Sequence, residues 1–235
     1  MNIRSLLRPS LLRPALLVLA AIGCLAAEDA ARPAAGGWIP LFDGKSFEGW
    51  RTKTGKPVTV GWQVTDGAIH RSGIGGDIVT AGEWADFELE FEWKVAKGAN
   101  SGVKYRVGEY APAGRDIGPE YQILDDDGHS DGKNPKSSAG ALYDLVPAVA
   151  NKKLRPVGEW NQSRIVSRGN HLEHWLNGEK VVEVDLGGDA WRAALAASKF
   201  KAAPDFATRK GRILLQDHGD EAWFRGLRLR ELPGA

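Results

Sequence analysis

Three short runs of this chain place groups that bind or move protons on one face of a β-strand. Residues 213–218 read Ile-Leu-Leu-Gln-Asp-His before Gly219. Side chains alternate along a strand, so Leu214, Gln216 and His218 share one face and Ile213, Leu215 and Asp217 the other. In Glu120–Leu124, Glu120 and Gln122 oppose the apolar Tyr121 and Ile123. In Val103–Val107, Lys104 and Arg106 oppose Val103, Tyr105 and Val107. If the three polar faces line one sheet surface, they form a groove of carboxylate, imidazole, amide and cationic groups suited to a small polar molecule. The inference depends on register, because a one-residue slip exchanges the faces and puts Asp217 in place of His218.

A second concentration of chemistry is the acidic run Asp125-Asp126-Asp127-Gly128-His129, with Asp131 close behind. Oxygens at alternating positions suit Ca²⁺ or another divalent cation, with Asp125, Asp127 and His129 as the ligand set. The run lacks the Gly and Glu spacing of an EF-hand, and a solvated turn is the competing reading. Asp125, ending its strand beside the groove, is the member best placed for a direct catalytic role. Lys199 follows a short helical pattern from which it could fold over the groove. Glu173 and His174 alternate to opposite faces of one strand and do not act as a unit.

The elements that must carry these groups are mostly strands. Twenty-nine Gly and twelve Pro divide the chain into strand-length segments, and turn chemistry marks the joints. Asp66-Gly67 fits a two-residue hairpin turn between residues 61–64 and 68–71. Residues 86–95 alternate strictly, and the row Glu88, Glu90, Glu92, Lys94 reads as a solvated face. Residues 164–167, 171–176 and 179–185 form a meander, residues 223–232 a last strand, and residues 189–200 the one helical stretch. The nine Trp are foremost core residues, with stacking on sugar rings as the alternative. The expected fold is all-β: a two-sheet antiparallel jelly-roll sandwich with one short helical insertion.

A formal charge of +1 gives no footprint for nucleic acid. Residues 1–27 combine Arg4, Arg8 and Arg13 with the apolar run Ala15–Ala27, the pattern of an export signal. Cleavage after Ala26 or Ala27 and a lipoprotein signal at Cys24 both fit it, so a lipid at Cys24 is the one expected membrane link. The expected location is periplasmic or secreted. Residues 28–37 read as a linker and 38–235 as one domain. Cys24 is the only cysteine, so the domain holds no disulfide.

Ordered motifs then carry a resemblance over about residues 38–232. Trp38-Ile39-Pro40-Leu41-Phe42-Asp43-Gly44 with Gly49-Trp50 opens the series, and Asn100-Ser101-Gly102, Glu120-Tyr121-Gln122-Ile123-Leu124-Asp125 and Gly140-Ala141-Leu142-Tyr143 continue it. Gly158-Glu159-Trp160-Asn161, Trp175-Leu176-Asn177-Gly178 and Gln216-Asp217-His218-Gly219 complete it. The chain resembles the bacterial 3-keto-disaccharide hydrolase domains, also called 3-keto-glucoside hydrolases or lyases. The resemblance implies a concanavalin A-like sandwich acting on glycosides oxidised at C3 of glucose. There the ketone acidifies the C2 hydrogen, a base forms an enolate, and the C1 substituent is eliminated, with rehydration giving net hydrolysis. Such a site needs no glycosidase carboxylate pair.

On that reading Glu120 or His218 is the base, with a salt bridge from Glu120 to Lys104 or Arg106 as the structural alternative. Lys104 and Arg106 suit the enolate oxygen or sugar hydroxyls. Gln122, Tyr143 and Gln216 suit hydroxyls, and Lys199 a closing contact. No cofactor is certain; a divalent metal stays open through the acidic loop. The partners implied are the oxidised glycoside and a separate nicotinamide- or flavin-dependent sugar 3-dehydrogenase, since the chain has no Gly-x-Gly-x-x-Gly after an opening strand. A non-catalytic carbohydrate-binding module and a surface structural domain are the competing functions. An open aromatic platform would favour the module, and convergence of Glu120, His218 and the cations would favour the enzyme.

Overall fold

A computed structural model describes residues 36–110, 115–203 and 205–234. The expected export signal, Cys24 and most of the linker lie outside the described residues. Short strands alternate with tight turns almost throughout. Asp66 (φ 51°) and Gly67 (φ 73°) take the two positive φ values that a type I′ turn needs, and they join β3 (Trp62–Thr65) to β4 (Ala68–Arg71). These follow β1 (Ile39–Pro40) and β2 (Trp50–Thr52) and precede β5 (Ile78–Thr80) and β6 (Phe87–Val95). Then come β7 (Asn100–Tyr110), β8 (Arg115–Ile117) and β9 (Glu120–Leu124). The meander is β10 (Asn161–Arg168), β11 (His171–Leu176) and β12 (Glu179–Asp185). The helix α1 (Asp189–Ala197) leads to β13 (Arg212–Leu215) and β14 (Ala222–Glu231).

The pairing is antiparallel throughout, in two sheets. An eight-stranded sheet runs β12-β11-β10-β6-β14-β4-β3, with β1 also on β14. A six-stranded sheet runs β2-β5-β13-β7-β8, with β9 also on β7. Phe87, Leu89, Phe91 and Trp93 of the first and Val103, Tyr105, Tyr121, Ile123, Ile213 and Leu215 of the second share one core. This is the expected sandwich with its single helix. The helix is shorter than its sequence pattern, ending where Ser198 Oγ donates to Leu195 O and accepts from Phe200 N.

The acidic row of β6 does face outward, but it is paired rather than merely solvated. Glu88 meets Arg164 and Arg230, Glu90 meets Arg228, and Glu92 meets Arg225. Four tryptophans, Trp50, Trp62, Trp93 and Trp191, are core residues. Trp38, Trp160, Trp175 and Trp223 instead lie against Arg or Lys side chains.

The sandwich interior holds a polar chain as well. His174, fully buried on β11, accepts or donates at Tyr105 Oη, 2.9 Å from its Nε2, and at Gly140 O, 3.0 Å from Nδ1. A carbonyl can only accept, so Nδ1 carries the proton and Nε2 takes the Tyr105 hydroxyl. Tyr121 donates to Trp175 O and accepts from Ser163, which accepts from Trp93 Nε1. Burial drives the His174 pKa down to about 4 from its ordinary 6.5.

Between those two values the unfolded chain binds a proton that the folded chain refuses. Stability should therefore fall by about 3 kcal/mol as pH drops from 6.5 toward 4, with no further loss from this group below that. Urea unfolding at pH 7.5, 5.5 and 4.5 checks it: the decline should flatten in His174→Gln, and an equally steep decline in that variant would assign it to other groups.

Candidate active site

The outward face of β9-β7-β13 is where the sequence-marked polar groups gather. Lys104 pairs in register with Glu120 on one side and with Leu214 on the other. Glu120 Oε2 lies 3.5 Å from Lys104 Nζ, and Glu120 is only 4 % exposed. Gly102 makes this possible, since a Cβ there would stand 2.4 Å from Glu120 Oε1. The next level along the strands carries Gln122, opposite Gly102, and Gln216, whose N–H donates to Gly102 O. Neither side-chain carbonyl oxygen, Gln122 Oε1 or Gln216 Oε1, has a hydrogen-bond partner among the described residues.

Glu120 opens into a cavity of about 230 Å³ lined by Lys53, Asp77, Lys104, Glu120, Lys199 and Phe200 among others. That is below the roughly 300–1,000 Å³ of sites for drug-sized ligands and suits a single ring. Burial holds the Glu120 carboxyl above its ordinary 4.5, partly offset by the charges of Lys104 and Lys199, while Asp77 adds to the rise. Tyr143 joins from the side: its N–H donates to Glu120 O, and Lys199 Nζ stands 4.2 Å from its ring centre. Burial and the Glu120 charge raise the Tyr143 phenol above 10, so it is a proton donor at neutral pH. Lys199 is fixed by its backbone N–H, which donates to Asp144 Oδ2 at 2.8 Å.

Lys53 and Asp77 were not marked in the sequence. They lie off the paired strands that give a periodic signal, and only the fold brings them to Glu120. Asp77 Oδ1 accepts from Asp217 N, which carries the chain away from the ladder after β13. This is why the strand ends at Leu215 rather than His218.

Four expectations need correction. Arg106 does not reach the groove. It has φ 48° and sits at a bulge where two residues of β7, Tyr105 and Arg106, stand against one of β13, Ile213, between the pairs Lys104–Leu214 and Val107–Arg212. The slip turns Arg106 inward and Val107 outward, beside Val79 and Leu214. Arg106 donates there to Ala85 O, Ala207 O and Gly169 O and pairs with Asp86. Asp125 is a loop clasp: Oδ1 accepts from Asp127 and Gly128 N–H, and Oδ2 from Gly98 N–H. Its carboxylate thus takes up three backbone N–H groups of its own loop and of the loop before β7. Asp127 is exposed, and the set Asp125, Asp127, His129 does not assemble. His218 is not among the cavity's lining residues; it stands nearly half exposed, beside His129 and Asp220.

A larger hollow of about 610 Å³ lies on the outer face of the eight-stranded sheet, lined by Glu90, Glu92, Gln162, Arg164, Trp175 and Arg228 among others. Its carboxylates are already matched with Arg228 and Arg225, and Arg164 covers the Trp175 ring at 4.1 Å. The smaller cavity, with its desolvated acid beside two ammonium groups, is the one equipped for proton transfer. No tryptophan lines it, so it is not an aromatic platform.

Comparison with known proteins agrees in kind. Residues 37–230 match the family model of the 3-keto-alpha-glucoside-1,2-lyase-like domain. A 3-keto-disaccharide hydrolase of Bacteroides thetaiotaomicron is 36 % identical over 231 residues, covering 84 % of this chain and 79 % of that one. A crystal structure of a glycosyl hydrolase candidate from Parabacteroides distasonis is 34 % identical, covers 84 % of this chain and 94 % of its own, and has a TM-score of 0.76. A laminarinase catalytic domain from Thermotoga petrophila, at 12 % identity, coverage of 84 % and 99 %, and TM-score 0.51, shares the fold alone.

Removing the nearest ammonium should raise the Glu120 titration further. A ¹³C-carboxylate NMR titration should therefore show Glu120 protonating at higher pH in Lys104→Met than in the native chain, with the melting temperature little changed. An unchanged or lower value would show that Lys104 does not set the charge of this carboxylate.

Proposed function

The chain belongs to the 3-keto-alpha-glucoside-1,2-lyase-like family, and from that membership and the Glu120 cavity we propose that it cleaves glycosides whose glucose ring carries a ketone at C3. The observation that carries the reading is the buried carboxylate of Glu120, 4 % exposed and 3.5 Å from Lys104. A carboxylate raised above its ordinary range is a stronger base near neutral pH than one in water. Glu120 takes the C2 proton, and the electron pair moves into a C2–C3 enolate whose oxygen is held by the ammonium groups of Lys104 and Lys199. The enolate then expels the C1 oxygen substituent, which leaves as an alcohol with the proton of the Tyr143 phenol. The ring is left as an enone. Water adding across its double bond completes net hydrolysis, the reaction for which the Bacteroides relative is named.

Gln122 and Gln216 lie at the next level of the strands, their side-chain carbonyl oxygens buried and without a partner among the described residues, and they line no part of the cavity that holds Glu120. Gly102 matters as much as any side chain, because its missing Cβ is the space the Glu120 carboxylate occupies. The substrate's ketone has to come from elsewhere, so a separate oxidoreductase acting at sugar C3 precedes this enzyme. The base is assigned to Glu120, which is buried, rather than to His218, which stands nearly half exposed.

The experiment is release of the aglycone from a 3-keto-glucoside and from its unoxidised parent. Only the keto form should react. Glu120→Gln should lower kcat by about 10²–10⁴-fold, the usual contribution of a general base, with the melting temperature within a few degrees of the native value. Gly102→Ala should also lose most of its activity by displacing the carboxylate. In the native chain the acid limb of kcat/KM should lie above pH 4.5, since the base must be ionised and its pKa is raised. Equal cleavage of the parent, or an active Glu120→Gln, would reject the mechanism.

A further inference from the structure

Outside the Glu120 cavity, the described residues hold two clusters of imidazoles and carboxylates whose ligand atoms converge. In one, His171 lies among Asp185, Glu173 and Glu183, and Lys180 bridges Glu173 and Glu183. There each carboxylate already faces a cation, and the cluster is complete as an ion-pair network. The other is His129, His218 and Asp220, which bring one ligand atom each to within 4.8 Å of one another. His218 Nδ1 is 4.0 Å from Asp220 Oδ2, too far for a hydrogen bond. The two rings stand edge to face with centres 6.1 Å apart. Ligands about 2.1 Å from one ion are roughly 3–4 Å apart, so small rotations of these side chains close the set.

A second observation comes from the floor beneath the cluster. Asp220 Oδ2 accepts from Asn100 N, Asn100 Nδ2 donates to Asp131 Oδ2, and Gln122 Nε2 donates to Asn100 Oδ1. This chain of bonds ends at Gln122, 1 % exposed, whose Oε1 has no donor. These bonds hold the Asp220 carboxylate in place against β7, in reach of the two imidazoles.

We propose that His129, His218 and Asp220 form a site for a divalent transition-metal ion at the far end of the groove. Two imidazoles and one carboxylate suit Zn²⁺, Co²⁺, Ni²⁺ or Fe²⁺ and not the all-oxygen preference of Ca²⁺ or Mg²⁺. Lys104, level with Glu120, and Asn100, bonded to Asp220, are four residues apart on β7, about 13 Å. The ion and the carboxylate therefore occupy opposite ends of one sheet face. His129 Nδ1 accepts the Asp131 N–H in the structure, which keeps its proton on Nε2. Coordination through Nε2 moves that proton to Nδ1 and ends the contact, so metal binding loosens the start of the 3₁₀ turn Ser130–Lys133. The assignment rests on this geometry and not on the proposed reaction.

The test is Co²⁺ titration of the metal-free, untagged full chain by calorimetry and visible absorption. One equivalent should bind, be displaced by Zn²⁺, and resist excess Ca²⁺. His129→Ala and His218→Ala should each weaken binding at least tenfold, and His171→Ala should leave it unchanged. His218 is exposed and makes no close hydrogen bond, so its variant should keep the native melting temperature and decides the matter should His129→Ala fail to fold. No saturable binding, native affinity in His218→Ala, or loss in His171→Ala alone would overturn the proposal.

Discussion

Keeping one carboxylate out of water beside an ammonium group is the constraint that organises this molecule's polar face. An ionised acid loses solvation when it is buried, and only a close cation, hydrogen bonds or a raised pKa can offset that loss. Glu120 has the first in Lys104, at 3.5 Å, and retains enough of the burial cost to hold its pKa high. The geometry that permits this is backbone geometry. β7 runs between β9 and β13, so Lys104 is fixed beside Glu120 by register, and Gly102 leaves the volume into which the carboxylate folds. A flexible loop could bring the same residue types together but could not keep one of them dry.

The same strands are held from behind. Val103 and Tyr105 of β7 and Tyr121 and Ile123 of β9 are buried in the core, and the two tyrosines reach His174 and Ser163 of the opposite sheet. Apolar contact alone tolerates sliding, whereas a hydroxyl bonded to a single imidazole nitrogen has one satisfactory position. The interior polar chain thus pins the six-stranded sheet against the eight-stranded one at the level of Glu120. Val103, Tyr105, Tyr121 and Ile123 are held from inside, and Gly102, Lys104, Glu120 and Gln122 between them are aimed outward by the pleat.

How much of this was legible follows from what is local. The Asp66-Gly67 hairpin, the alternation of β6 and the polar face of β9 depend on neighbours in sequence, and each stands in the structure where its pattern placed it. Arg106 was misplaced because its face is set by a bulge, and the bulge is set by pairing with β13 and by Gly211, where a Cβ would meet Arg106 C at 2.4 Å. The strand pattern carries no mark of that. Asp125 departs from its expected place for the opposite reason: its residue type suggests a cation ligand, but its oxygens accept from its own turn and from Gly98. Lys53 and Asp77 had no pattern at all, since they enter the cavity from loops at the sheet's edge.

The bulge also explains why the polar face is short. Before Arg106, alternate residues of β7 point outward as Asn100, Gly102 and Lys104, a sequence of amide, space and cation. After it, Val107 takes the outward position and closes with Val79 and Leu214 into a small apolar cluster. The groove therefore has an apolar stop just past the Lys104–Glu120 pair, and polarity extends only the other way, through Gln122 and Gln216 toward Asn100, Asp220 and the two histidines. A single residue inserted into one strand thus does two jobs: it takes Arg106 inward to secure the loops around Ala85, Gly169 and Ala207, and it gives the outward face a beginning and an end.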